Sequence, residues 1–192
     1  MRRVSLIVAL FGLAFLSGCM ASFSERPAFP TYSGPPTPLP VRLQASGKDF
    51  LHLPPDQWME APISSSLANV ASDAIFRSGW VQAAAESDGV TELGVYVAHY
   101  QGSGPGLLST LTAFLIPGIV DHRIDVKVRL VRPGHVPREC VRSTETRTWY
   151  QTFLLFVYPF RSPAYGRIRS SEALALSCVA ELLQQDAVPT AI

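Results

Sequence analysis

The stretch Arg123-Ile124-Asp125-Val126-Lys127-Val128-Arg129-Leu130 decides the fold class. Apolar and charged residues alternate without a break, which is the period of a strand with one face in a core and one in water. Antiparallel sheets tolerate such a wet face, whereas parallel sheets are covered on both sides. Arg132-Pro133-Gly134-His135 follows as a turn signal, so residues 137–149 are expected to return as the antiparallel partner. Upstream, Leu93 to Tyr100 reads as a further strand, and Val41-Arg42-Leu43-Gln44-Ala45 as a short one. Between them Ile63, Leu67, Val70, Ala71, Ala74 and Ile75 fall at helical spacing, with Pro62 suited to a first turn and Gly79 to a C-terminal cap. A second helix is expected over 172–185, with Leu174, Cys178 and Leu182 on one face and Ser170 or Ser171 as its cap. The order strand, helix, strand, strand, strand, helix predicts an α+β fold: a small, mostly antiparallel sheet with two helices packed on one face.

Composition sets the function classes. The chain has 192 residues, 16 Lys and Arg against 15 Asp and Glu, and only 16% charged residues. With no basic excess to neutralise phosphates, no nucleic-acid partner is expected. Its mean hydropathy of +0.19 is high for so polar a sheet face, and much of the excess lies at the N-terminus. Met1-Arg2-Arg3 is a positive leader, Val4 to Phe15 is an apolar run too short for a permanent membrane span, and small residues follow.

That run ends in Leu16-Ser17-Gly18-Cys19, which resembles the lipobox of a bacterial lipoprotein precursor. The resemblance implies that residues 1–18 are a cleaved signal peptide and that Cys19 is lipidated and N-acylated. Several acyl chains on one residue exceed what stable anchoring needs, at about 0.8 kcal/mol per buried methylene. Met20 rather than Asp after the cysteine implies, by the same resemblance, the outer membrane, with the domain facing the periplasm.

Residues 19–40 carry Pro27, Pro30, Pro35, Pro36, Pro38 and Pro40, a density expected to give an extended, solvated tether reaching up to about 65 Å. Phe23, Phe29 and Tyr32 are read as linker punctuation, with contact to domain or membrane as the alternative. The periplasmic domain is then 41–192. In an oxidising compartment Cys140 and Cys178 form an even pair, and a disulfide between them is the favoured reading over two buried thiols. Neither has a His or Cys at ligand spacing, so no metal is expected, nor any cofactor.

Two uncharged segments exceed what a small core needs: Leu107 to Val120, and Trp149 to Phe160. Each is too short and too interrupted by proline to span a bilayer. If the hairpin forms as expected, the first enters it and the second leaves it at the end away from the Pro133-Gly134 turn. They are either core or an exposed apolar surface for lipid or an envelope partner. On the second reading the contact residues are Leu111, Phe114, Leu115, Phe153, Leu154, Phe156 and Tyr158.

Asp49-Phe50-Leu51-His52-Leu53-Pro54-Pro55-Asp56-Gln57-Trp58-Met59-Glu60-Ala61-Pro62, then a helix ending in Ser78-Gly79, resembles the auxiliary lipoproteins of ABC-type lipid-transport systems. Those carry a Trp, an acidic residue and a Pro ahead of their first helix, which implies a subunit of an envelope-spanning transport complex. The 107–120 segment departs from that pattern, and its Leu115-Ile116-Pro117-Gly118 is similar to segments of uncharacterised small lipoproteins. No His-Glu-x-x-His and no Gly-x-Ser-x-Gly occurs. The expectation is therefore a non-enzymatic lipoprotein; a periplasmic hydrolase is the contrasting class and needs a histidine brought beside a serine or carboxylate.

Overall fold

The computed structural model describes residues 20–23, 28–35, 37–53, 57–61, 66–84, 90–103, 111–112, 117–150 and 163–187. Its strands are β1 (Met20–Phe23), β2 (Leu39–Leu53), β3 (Gln57–Glu60), β4 (Val81–Ala83), β5 (Thr91–Gln101), β6 (Gly118–Val131) and β7 (Arg138–Tyr150). Two helices accompany them, α1 (Leu67–Arg77) and α2 (Pro163–Ala187). The fold is α+β. One sheet runs β1-β7-β6-β5-β2-β3, with β4 also paired to β2, and both helices contact it.

The alternating stretch is strand β6, and its hairpin with β7 runs antiparallel from Gly118↔Tyr150 to Leu130↔Arg138. Ile124, Val126, Val128 and Leu130 are buried under the helices, while Arg123, Lys127 and Arg129 are exposed. They meet Leu93, Val95 and Val97 of β5, Ala71 and Ile75 of α1, and Ala175, Val179 and Leu182 of α2 in one core. Each fully buried Val, Ile or Leu there contributes roughly 1.5–3 kcal/mol. The Cys140–Cys178 disulfide, with Cα atoms 5.4 Å apart, ties β7 to α2 in this core. Gly134 supplies the positive φ of 76° at the hairpin turn, and Gly79 one of 74° just past α1.

Several elements extend beyond what periodicity indicates. Strand β2 runs on to Leu53 because its parallel pairing with β5, from Val41↔Thr91 to Leu51↔Gln101, carries it through Ser46-Gly47-Lys48, where alternation fails. Helix α2 starts at Pro163, nine residues before the expected Glu172. Ser170 and Ser171 are therefore buried inside the helix rather than capping it, and the Ser171 hydroxyl donates back to the Ile168 carbonyl at 2.9 Å. Pro62 and residues 1–18, read from sequence as a signal peptide, lie outside the described residues.

The proline-rich segment is not a free tether. Met20–Phe23 adds an edge strand to β7, in register Met20↔Tyr150 to Phe23↔Arg147. Farther on, Phe29 lies beneath the Arg169 guanidinium of α2 at 4.8 Å, and Tyr32 meets Trp80 edge-on at 5.1 Å. Gly34, at φ 86°, lies where a Cβ would overlap the Trp80 ring. The prolines prevent a helix, but the aromatics between them find partners, so the segment straps the helix layer before entering β2.

Pairing registers define two ends of the sheet. At the turn end lie the 132–135 turn and β4. At the open end lie Leu53, Gln101, Gly118, Tyr150 and Met20.

Candidate functional site

On the helix-free face, one row of ladder partners crosses the sheet near the open end: Glu60–Phe50–Tyr100–Arg123–Glu145. Shared register puts the Phe50 and Tyr100 rings in a stack, centroids 4.8 Å apart and 12° from parallel. Trp58 enters from β3 opposite His52. Its indole is half exposed, at 50%, and meets His52 at 5.0 Å and Tyr100 at 5.4 Å, both edge-on. The Arg123 guanidinium lies 5.9 Å from the Tyr100 centroid, and burial and Asp125 push the tyrosine hydroxyl above its ordinary pKa.

The row ends in charge. Arg123 Nε donates to Asp125 Oδ1 at 2.8 Å, and Arg147 Nε to Asp121 Oδ1 at 2.7 Å. Together with Gly102, Ser103 and Glu145 these groups and the aromatic wall line an open cleft of about 650 Å³. His52 Nδ1 and Ser103 Oγ are 3.0 Å apart in it. Closer to the open end the same face turns apolar, since Ile119 is exposed and pairs with Trp149.

The helix-covered face carries a buried polar chain at the same end. His99 Nδ1 is 2.9 Å from Asp49 Oδ1, and His99 Nε2 is 3.2 Å from His122 Nδ1. His99 and His122 are only 6% and 3% exposed. Burial lowers the pKa of both, assisted at His99 by the Arg167 charge and at His122 by His99 and then Arg167; His122 is lowered to about 4. His122 Nε2 and Thr146 Oγ1, ladder partners on β6 and β7, are buried without a hydrogen-bond partner among the described residues. A second cavity of about 480 Å³ opens beside Asp49 and His99, under the first residues of α1 and α2. No group of three His, Cys, Asp or Glu among the described residues is arranged to hold a metal ion.

No family model matches the chain, and no curated protein matches it. Among solved structures it is similar to protein XCC0632 from Xanthomonas campestris, of family model DUF330. Identity is 13%, the match covers 84% of this chain and 96% of that one, and the TM-score is 0.37. At that level the likeness says nothing of function.

Of the seven apolar contact residues expected from sequence, Leu111 is described, and it is 73% exposed. Phe114, Leu115, Phe153, Leu154, Phe156 and Tyr158 lie outside the described residues, as does Cys19. No described helix is long and apolar enough to cross a membrane. Their flanks are described: Gly118, where the first segment enters β6, pairs with Tyr150, where the second leaves β7, and Tyr150 pairs with Met20.

The sequence motifs point neither to the His52–Ser103 and His99–His122 contacts nor to the aromatic row. Only register brings Phe50, Tyr100 and Arg123 together. The available signal was Trp58 and Met59 in a polar, proline-flanked stretch, where large apolar side chains have no core to enter.

Proposed function

We propose that this is an outer-membrane lipoprotein, held by a lipidated Cys19, whose periplasmic domain turns the open end of its sheet to the bilayer and contacts lipid or an envelope partner there without catalysis. One observation carries the reading. The rung Met20–Tyr150–Gly118 brings the residue after Cys19 and the borders of both apolar segments to a single edge. With Met20 fixed in the ladder, the domain stands against its anchor instead of about 65 Å away on a tether. Ile119, Trp149, Trp58 and Tyr100 near that end supply the mixture of apolar and amphipathic rings that suits a membrane–water interface.

The His52–Ser103 contact is the pairing that a hydrolase needs, but its surroundings favour binding. The backbone N–H of Gly102, next to the serine, is committed to the Asp121 carbonyl at 2.8 Å and does not serve an oxyanion. Serine-directed phosphonates should therefore leave Ser103 unmodified; stoichiometric labelling would overturn the non-enzymatic reading.

Flotation tests the lipid contact. The chain from Met20 onward, without acyl groups, should rise with phosphatidylethanolamine–phosphatidylglycerol vesicles. It should stay behind when Leu111 and Phe114 are replaced by Glu. A wild-type chain that remains at the bottom of the gradient contradicts lipid contact.

A further inference from the structure

We propose that the cleft on the helix-free face binds a zwitterionic phosphoethanolamine headgroup. The half-exposed indole of Trp58 takes the ammonium, the guanidiniums of Arg123 and Arg147 take the phosphate, and Glu145 beside them disfavours a bare anion. The assignment deepens the reading of the open end as lipid-contacting and rests on it.

Charge matching selects the ligand. Arg123 and Arg147 each spend Nε on a carboxylate, Asp125 and Asp121 respectively. Their terminal Nη donors have no hydrogen-bond partner among the described residues, and both side chains are more than half exposed, at 57% and 56%. A planar fork of free donors matches a phosphate or a carboxylate, and the apolar surface toward the open end favours the phosphate of a lipid. Glu145 faces Arg123 across the ladder but forms no ion pair among the described residues. A bare anion would meet this carboxylate, and both arginine charges are already matched. A bare cation would leave the Nη donors of both guanidiniums unanswered. A group carrying both signs a few bonds apart meets neither penalty.

The aromatic wall points to an ammonium. Trp58 meets both His52 and Tyr100 edge-on, contacts that orient its indole while half its surface stays bare. Ring faces attract ammonium groups within about 6 Å of the centroid. The volume, about 650 Å³, is that of a small-molecule site. Beyond Asp121 the same face continues into Ile119 and Trp149, so a lipid seated by its headgroup has an apolar surface for its chains on the bilayer side.

The test titrates the chain from Met20 onward with sn-glycero-3-phosphoethanolamine. It follows the indole N–H resonance of Trp58, assigned by its loss in Trp58→Phe. A saturable shift is expected, at least tenfold weaker with glycerophosphoglycerol, which lacks the ammonium, and in Glu145→Gln that gap should narrow. Arg123→Gln should weaken the shift itself at least tenfold, and both exposed substitutions should leave the circular dichroism spectrum unchanged. No Trp58 shift, or an equal one with inorganic phosphate, overturns the headgroup site. Flotation separates the two claims. Vesicle binding without a Trp58 response removes the headgroup site and keeps the lipid contact. A Trp58 response without vesicle binding keeps the site and removes the contact.

Discussion

At the turn end of the sheet, β6 passes into β7 through the six residues 132–137, and the helix-free face carries Arg129 and Lys127 against Glu139, with Lys127 Nζ 2.8 Å from the carboxylate. At the open end the same two strands part into uncharged sequence, and the face carries Ile119, Trp149, Tyr100 and Trp58. Beneath it lie His99, His122, Thr146 and Thr148, whereas farther along the same buried face β6 carries Ile124, Val126, Val128 and Leu130. The turn end is built for stability: a short closure, solvated charge pairs, and the disulfide from Cys140 near the start of β7. Among the described residues, the open end keeps His122 Nε2 and Thr146 Oγ1 buried without a partner and large rings in water, which costs stability and is tolerated where a surface has work to do.

The largest expected effect is at the stapled end. Replacing Cys140 and Cys178 by Ser opens a closure of 38 residues and should lower unfolding free energy by about 3–4 kcal/mol, read from urea titration. The open end should show itself next, through acid. His99 and His122 are held neutral in the fold, so the unfolded chain binds more protons than the folded one below its own histidine pKa of about 6.5. Stability should therefore fall as pH drops through 6.5, and the His122 contribution should level off near 4 after losing at most about 3 kcal/mol. His122→Leu should flatten that slope.

Two glycines sharpen the contrast between a strap and a plain turn. Gly134→Ala should cost about 1–2 kcal/mol, because its φ is 76° but its surroundings are open. Gly34→Ala adds overlap with the Trp80 ring to a φ of 86° and should cost roughly twice as much by thermal melting. A silent Gly34→Ala would return residues 28–35 to the role of a solvated spacer. Smallest in stability is Trp58→Leu, within about 0.5 kcal/mol, since half of that ring is already in water.

The hairpin and core were legible because a single period ran through them unbroken: Ile124 to Leu130 fixes one buried face, and Pro133-Gly134 fixes the register of its partner. Edge strands were not legible. Met20–Phe23 and Gln57–Glu60 are four residues each and owe their conformation to pairing with β7 and β2, which local sequence does not encode. The start of α2 escaped notice because Arg167 and Arg169 interrupt an apolar stripe that Ile168 continues. The candidate site was less legible still: Trp58, Tyr100, Arg123 and Glu145 come from four strands and are neighbours only through register. The strap was misread because proline density speaks to backbone conformation alone, whereas Phe29 and Tyr32 decide where that extended backbone lies.

Amide hydrogen exchange of the acylated protein, reconstituted in phosphatidylethanolamine-rich vesicles and compared with the acyl-free chain in solution, tests the central claim most directly. Orientation with the open end at the bilayer predicts added protection over 100–120 and 148–162, with no change over 131–138. Protection over 131–138, or identical exchange in both states outside the first residues, would contradict it.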